Sequence, residues 1–193
     1  MPLLRRGFKT WCENAARGYR RELNLDQFGP LDPRILAAKL GIRVWTPKDV
    51  PGVSAAALKQ LCKVDPDNWS AVTICVGTKR VIIVNDQHSP ERQNNSIMHE
   101  LSHIILKHRA AQVFVSPKGQ MLLSEYDETQ EEEADCLSGT LLVPREALLR
   151  LLTSGRAHTV VAAHFAVSMD VLKMRINLTG VQKQLGFRRY GGG

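Results

Sequence analysis

The sequence lacks any long apolar run and any recognisable export signal. No stretch of about 18 apolar residues is present, which argues against a membrane-spanning helix. Residues 1–6 lack the apolar core that secretory signals carry. The four cysteines are scattered, with no Cys-x-x-Cys pair, so we expect reduced thiols and neither disulfides nor metal ligands. Together these absences predict a cytoplasmic protein.

Internal repeats and long linkers are absent too. The chain has 193 residues, 44% of them hydrophobic, which is enough to bury a core within one domain. Hydrophobic periodicity predicts a mostly helical α+β fold with a small antiparallel or mixed sheet. Helices are expected over residues 8–23, 33–40, 54–62, from 90 through the histidines near 100, 127–143, a short segment after 144, 159–165 and 169–178. Strands are expected over residues 42–45, 71–76, 80–84, 113–115 and 121–123.

Basic residues are missing from residues 119–144, although the net charge of the chain is +7. The rest of the chain is therefore more basic than the total suggests, and six cations lie near its start: Arg5, Arg6, Lys9, Arg17, Arg20 and Arg21. Such a surface can attract nucleic acid or an acidic protein partner. A solvated helix face explains the same pattern and is favoured over a dedicated DNA site.

One stretch carries a pattern of chemical significance, His99-Glu100-Leu101-Ser102-His103. Histidines four residues apart lie on one face of a helix, where both imidazoles can reach a single metal ion. Zinc in an open coordination lowers the pKa of water to about 7, and a neighbouring glutamate can then take the proton. The pattern predicts zinc-dependent peptide hydrolysis with Glu100 as general base, whereas a solvent-facing helix is the alternative.

The flanking residues favour metal binding over a helix whose histidines merely face solvent. Ser89-Pro90-Glu91 is typical of a helix start, with an N-cap serine, a proline and an acid in the first turn. On a helical wheel an apolar stripe faces the core and the two histidines project from the opposite side; the stripe contains Ile97, Leu101, Ile104 and Ile105. His108 falls with this stripe and is left out of the metal site.

A catalytic zinc needs a third protein ligand, and Glu131, Glu132 and Glu133 are the candidates. Glu131 shares a helix edge with Asp135 and the small Ser138, so this edge can approach another helix closely. Asp135 could then accept a hydrogen bond from a ligand imidazole and fix its tautomer. Glu131 is therefore predicted as the ligand, and Glu132 and Glu133 are interpreted as solvated acids.

At these residues the chain resembles the ImmA/IrrE family of metallopeptidases. The likeness covers residues 85–94, the run from His99 to Leu106, and residues 131–144. The last segment follows the family signature Glu-x-x-Ala-Asn/Asp-x-Phe-Ala-x-x-Leu-Leu-x-Pro, with Leu137 and Ser138 in place of Phe and Ala. Residues 7–11 and 167–180 are also similar to family members.

The resemblance implies a zincin-like, gluzincin-type fold with His99, His103 and Glu131 as zinc ligands and Glu100 as general base. It implies one metallopeptidase domain over residues 1–193, with an N-terminal helical part (1–65) and a catalytic part (66–190). It also implies a protein substrate, a helix-turn-helix transcriptional repressor whose cleavage relieves repression in stress responses or mobile elements. Mn²⁺ or Fe²⁺ would suit the same ligands.

Two other functions remain open. Residues 160–175 have the spacing of a helix-turn-helix, which would make the chain a DNA-binding regulator, although a helix pair that closes the core is favoured. A metal-containing binder could instead sequester a repressor or antitoxin without cleaving it. Stabilisation of the oxyanion is assigned to no residue, because four side chains qualify by type alone: Tyr126, His158, His164 and Arg175.

Overall fold

A computed structural model describes residues 4–76, 79–109, 113–115, 121–123 and 127–190 of the chain. The helices of this part are α1 Phe8–Glu22, α2 Pro33–Lys39, α3 Ala55–Lys59, α4 Pro90–Leu106, α5 Glu128–Leu142, α6 Arg145–Thr153, α7 His158–His164, α8 Met169–Thr179 and α9 Val181–Tyr190. The strands are β1 Arg43–Trp45, β2 Ala71–Val76, β3 Lys79–Val84, β4 Val113–Val115 and β5 Met121–Leu123. The predicted mostly helical α+β architecture is confirmed.

The larger sheet is mixed, with strand order β1-β3-β2. β3 pairs in parallel with β1 and antiparallel with β2, with Thr73 opposite Ile82. Ile82 and Val84 are buried in the core, whereas Val72 and Ile74 of β2 are exposed. β2 is therefore an edge strand with one face toward the protein, and the two strands predicted over residues 71–76 and 80–84 form an antiparallel pair.

The two short strands predicted over residues 113–115 and 121–123 are confirmed, and they pair with each other. β4 and β5 are antiparallel, with Val113 opposite Leu123 and Val115 opposite Met121. Residues 116–120, between the two strands, lie outside the described residues.

Helices α4 and α5 pack against each other in the centre of the core. α4 begins as predicted, because the Ser89 side chain accepts a hydrogen bond from the Arg92 backbone N–H and Pro90 occupies the first turn. Ile97 and Leu101 on α4 are fully buried, as is Leu137 on α5. The apolar stripe thus anchors α4, and its histidines lie where α5 faces them.

Helix α1 packs on α5 and holds a buried arginine. The Arg20 side chain donates to the backbone carbonyls of Leu141 and Gly29, at 2.9 and 3.0 Å. Burial lowers the pKa of Arg20 to about 10. Because Arg20 is inside the protein, the basic N-terminal surface expected from the sequence lacks one of its six cations.

Helices α7 and α8, the pair with helix-turn-helix spacing, contribute to the same core. Val161, Phe165, Leu172 and Ile176 are all buried in the main hydrophobic cluster. Gly180, with φ of 65°, ends α8 one residue beyond the helix predicted over residues 169–178, but α9 follows it directly and was not predicted. Within the described residues, no helix combines the length and hydrophobicity that crossing a membrane requires.

Candidate metal centre

His99 and His103 lie one turn apart on α4 with their rings in contact. Their Nε2 atoms are 3.0 Å apart, and the two rings meet edge-on with centroids separated by 4.7 Å. Each side chain is 22% exposed. The two nitrogens therefore point to one place that solvent can reach.

Glu131 on α5 faces both nitrogens. Its Oε2 atom is 3.2 Å from Nε2 of His99, and its Oε1 atom is 3.5 Å from Nε2 of His103. One donor atom from each of the three residues lies within 4.8 Å of the other two. Two imidazole nitrogens and a carboxylate oxygen are a donor set that zinc takes in hydrolytic sites. The three predicted ligands are brought together, and the residues fit a divalent metal ion.

Asp135 lies one turn beyond Glu131 and contacts the other side of the His99 ring. Its Oδ1 atom is 3.0 Å from Nδ1 of His99. Accepting the Nδ1 proton leaves Nε2 of His99 unprotonated and directed at Glu131. Burial alone would lower the pKa of His99, but the hydrogen bond and charge of Asp135, with the charges of Glu131 and Glu100, raise it.

His108 is not in the apolar stripe of α4, which corrects the interpretation from the helical wheel. Its Nδ1 atom lies 3.0 Å from Nδ1 of His103. The reason is that α4 ends at Leu106, and Lys107 adopts a left-handed conformation with φ of 57°. The chain turns back there, the His108 N–H donates to the His103 carbonyl, and the helical wheel no longer applies.

Glu133 is also not the solvated acid expected from the sequence. Its side chain is 16% exposed, and its Oε2 atom is 3.2 Å from Nε2 of His108. Its Oε1 atom lies 3.4 Å from Nε of Arg5. The carboxylate is retained in a partly buried position because two basic groups face it. No ion pair or hydrogen bond joins Glu132 to the histidines in the part of the chain that the structure describes.

His103 has other histidines as neighbours, whereas His99 is in direct contact with the Asp135 carboxylate. Burial lowers the pKa of His103 to about 4, and the neighbouring charges of His99 and His108 act in the same direction. The ring is therefore neutral near pH 7, which is the form that binds a metal.

Glu100 projects from α4 toward the edge strand β2. The Thr73 hydroxyl donates a hydrogen bond to Oε2 of Glu100. Thr73 was missed in the sequence analysis. The alternation of β2 separates Thr73 from Val72 and Ile74, but it does not show which face of the strand meets α4. A hydroxyl at this place can hold one oxygen of the Glu100 carboxylate while the other faces away from it.

Three of the four candidates for oxyanion stabilisation form no hydrogen bond or ion pair with the three ligands within the described residues. Arg175 is buried and donates to the Val143 carbonyl and to Glu13. Nε2 of His164 lies 3.2 Å from the Phe28 carbonyl, and His158 is exposed at the start of α7. Tyr126 lies outside the described residues.

Comparison with known proteins identifies the family. The M78 peptidase family, described as the IrrE N-terminal-like domain, has a model that matches residues 38–177. No curated protein is a significant match to the chain. The matched region spans most of the chain and includes α4 and α5, with His99, His103 and Glu131. The resemblance to the ImmA/IrrE family is confirmed, and the chain belongs to the M78 family of metallopeptidases.

Proposed function

We propose that the chain is a zinc-dependent endopeptidase that hydrolyses a peptide bond in a protein substrate. His99, His103 and Glu131 would bind the metal, and Glu100 would act as general base. The observation that carries this proposal is the convergence of two Nε2 atoms and one carboxylate within 4.8 Å across two packed helices. Membership of a metallopeptidase family supports the same chemistry.

A divalent ion held there would supply Lewis acidity, lowering the pKa of water and polarising the scissile carbonyl. The residues of the chain perform the proton transfers. Oε1 of the Glu100 carboxylate accepts a proton from the attacking water and passes it to the leaving amine. Thr73 holds the other oxygen, so the carboxylate keeps one orientation through both steps. Asp135 accepts the Nδ1 proton of His99, so that the neutral ring presents an unprotonated Nε2.

Zinc is the metal we favour for this donor set, since two imidazoles and one carboxylate suit its preference for nitrogen and oxygen ligands at low coordination number. Mn²⁺ and Fe²⁺ accept the same groups. Elemental analysis of the purified protein, alongside His99→Ala, decides between them.

For the substrate we propose a helix-turn-helix transcriptional repressor, so that cleavage relieves repression. The likeness of residues 85–94, 99–106 and 131–144 to the ImmA/IrrE family supports this substrate class. A repressor substrate would place the reaction in the cytoplasm, in a stress response or in the control of a mobile element.

The decisive variant is Glu100→Gln, which keeps the shape of the side chain and removes the base. We expect zinc binding close to that of the parent and cleavage reduced by at least about a hundredfold, as for loss of a general base. Mass spectrometry of a substrate cut by the parent would measure this. Cleavage at the parent rate would falsify the role of Glu100.

The same measurement separates an enzyme from a binder. If the parent protein forms a stable complex with a repressor and leaves every peptide bond intact, then the protein sequesters its partner. His99→Ala is the control for either outcome, because it removes a proposed metal ligand and leaves Glu100 unchanged. An enzyme would lose cleavage in this variant.

DNA binding through α7 and α8 is not favoured by the surface of α8. All residues of α8 are described, and Lys173 is the single exposed cation among them. Its Nζ atom lies 3.8 Å from Asp170, and Arg175 points into the core. A helix that reads DNA needs several cationic or polar groups for phosphates and base edges.

A further inference from the structure

The side chains of His103, His108 and Glu133 form a hydrogen-bonded chain that leads away from the proposed metal position. Nδ1 of His103 lies 3.0 Å from Nδ1 of His108, and Nε2 of His108 lies 3.2 Å from Oε2 of Glu133. The other oxygen of Glu133 faces Arg5. This chain runs from α4 through the turn after it to α5, and no step of the proposed reaction uses it.

The direction of the hydrogen bonds follows from the proposed role of His103. Nε2 of His103 faces Glu131 and must be unprotonated to bind a cation, so the proton of the neutral ring lies on Nδ1. This N–H donates to Nδ1 of His108, which therefore carries its own proton on Nε2. That proton is donated to the Glu133 carboxylate. Nδ1 of His103 and both ring nitrogens of His108 then each have one complementary partner.

Burial distinguishes this chain from the contact of Asp135 with His99. The His108 and Glu133 side chains are 6% and 16% exposed, whereas the Asp135 side chain is 65% exposed. Water competes little for buried hydrogen bonds, and their electrostatic energy is larger in a medium of low dielectric constant. The buried side chains of His108 and Glu133 should therefore orient His103 more strongly than the exposed Asp135 orients His99.

We propose that His108 and Glu133 are positioning residues for the metal ligand His103. His108 fixes the tautomer and ring orientation of His103, and Glu133 fixes the tautomer of His108. Metal affinity then depends on a carboxylate that is not itself a ligand. This inference rests on the proposed function, since it requires that His103 bind the metal.

Three variants test the proposal, with zinc itself as the probe. His108→Phe removes both ring nitrogens, Glu133→Gln removes the charge at nearly constant shape, and Glu132→Gln is the matched control on the preceding residue. Competition with a chromophoric zinc chelator measures the affinity of each full-length protein. We expect about a 10- to 100-fold loss for His108→Phe, a smaller loss for Glu133→Gln and no change for Glu132→Gln.

A spectroscopic readout separates positioning from a merely structural contact. Long-range ¹H–¹⁵N spectra of the zinc-loaded protein report which ring nitrogen of His103 and His108 is protonated. We expect protons on Nδ1 of His103 and Nε2 of His108 in the parent, and a shifted His103 resonance in Glu133→Gln. A structural contact would lower the melting temperature of the metal-free protein while leaving zinc affinity and this resonance unchanged.

The possible results separate the two proposals. If the parent binds zinc and Glu133→Gln matches it in affinity and in the His103 resonance, the positioning role is overturned and the proposed function stands. If the parent does not bind zinc, both fail. Should His108→Phe not fold, Glu133→Gln decides, because its shape is retained.

Discussion

His99 and His103 present the same nitrogen to Glu131 but are held by different partners. His99 contacts the exposed Asp135, and its pKa is raised; His103 contacts the buried His108, and its pKa is lowered to about 4. Near neutral pH His103 is therefore available to a metal without losing a proton, whereas His99 must give one up when it is protonated. The two imidazoles are chemically distinct despite their equivalent places in the motif.

At the same scale, Thr73 gives a prediction about the proposed general base. Thr73→Val keeps the shape of the side chain and removes the hydroxyl that donates to Glu100. A hydrogen bond to a charged group contributes about 1.5 to 3 kcal/mol, so kcat on a substrate cut by the parent should fall roughly 10- to 100-fold. Zinc affinity should not change, because Thr73 contacts no proposed ligand.

Thr73→Ser is the matched control, since it retains the hydroxyl and should keep most of the activity. Equal kcat values for Thr73→Val and the parent would show that Glu100 needs no such support.

Some residues of the candidate site could be placed from the sequence alone, and others could not. The position of Glu131 and Asp135 beside the histidines could be predicted because these two residues share one edge of a helix with Ser138, and helix geometry relates them directly. Glu133 and His108 could not, because their contact depends on how the chain turns after Leu106 and on how α5 is rotated toward α4. Tertiary packing decides both.

At the scale of elements, the end of α4 is set by a residue other than glycine in the left-handed region. Lys107 has φ of 57°, a conformation that costs about 1 to 2 kcal/mol for a residue with a Cβ atom. Lys107→Gly should raise the melting temperature by about 2 °C, because relief of this cost exceeds the extra entropy of the unfolded chain.

Two matched variants isolate the backbone effect. Lys107→Ala removes the side chain but keeps the Cβ atom, and should leave the melting temperature near that of the parent. Lys107→Val should destabilise, since β-branched residues tolerate this conformation poorly. A stabilised Lys107→Ala would mean that the side chain, and not the backbone, is responsible.

The start of α5 gives a prediction about pH. Hydrogen bonds from the Gln130 side chain and from the backbone N–H groups of Gln130 and Thr129 lower the pKa of Asp127. The charged cap therefore stabilises the fold above the unfolded-state pKa of about 4, and this contribution is lost as the pH falls through the folded-state value. Asp127→Ala should melt below the parent at pH 7, and the gap should narrow in acid.

Asp127→Asn is the matched control, and the melting temperatures of the parent and both variants are compared in the metal-free protein. Its amide can still cap α5, so it should lose less than Asp127→Ala at pH 7, and its own stability should carry no pH dependence from this site. A gap for Asp127→Ala that stays constant with pH would contradict the assignment.

Elements with strong local signals were predicted, and those that depend on packing were not. Ser89-Pro90 marks the start of α4, and Ser54 caps α3 as its position suggests. The helix expected up to residue 62 instead changes to a π-helix at Gln60–Val64. Helix α9 was missed because Gly180 is a stop signal and the following residues have little helical periodicity; its Val181 is nevertheless fully buried.

At the scale of the whole molecule, α1 lies outside the region matched by the family but inside the common core. Phe8, Cys12 and Ala16 are buried in the same cluster as residues of α4 and α5, and Arg20 binds the Leu141 carbonyl at the end of α5. We therefore propose one domain over residues 1–193, in which the N-terminal part supports the catalytic part.

Truncation tests this proposal. A chain that starts at Leu31 would expose the face of α5 that α1 covers and would leave the Leu141 carbonyl without Arg20. Unsatisfied buried polar groups cost about 1 to 3 kcal/mol each, in addition to the lost apolar burial. We expect no cooperative thermal transition in the truncated protein, measured by circular dichroism beside the parent. A transition at the parent temperature would show that residues 1–30 are dispensable.

Helix α5 directs Glu131 and Asp135 at α4 and Glu133 at His108 in the turn after α4. The rotation of α5 about its own axis is constrained further along, at Gly139. A Cβ atom there would lie 2.9 Å from Cδ of Arg175, so α5 and α8 are locked at close range. Inserting or deleting one residue between Asp135 and Gly139 would swing all three carboxylates through about 100°. The helix can therefore accept exchange of single side chains more readily than any change in its length.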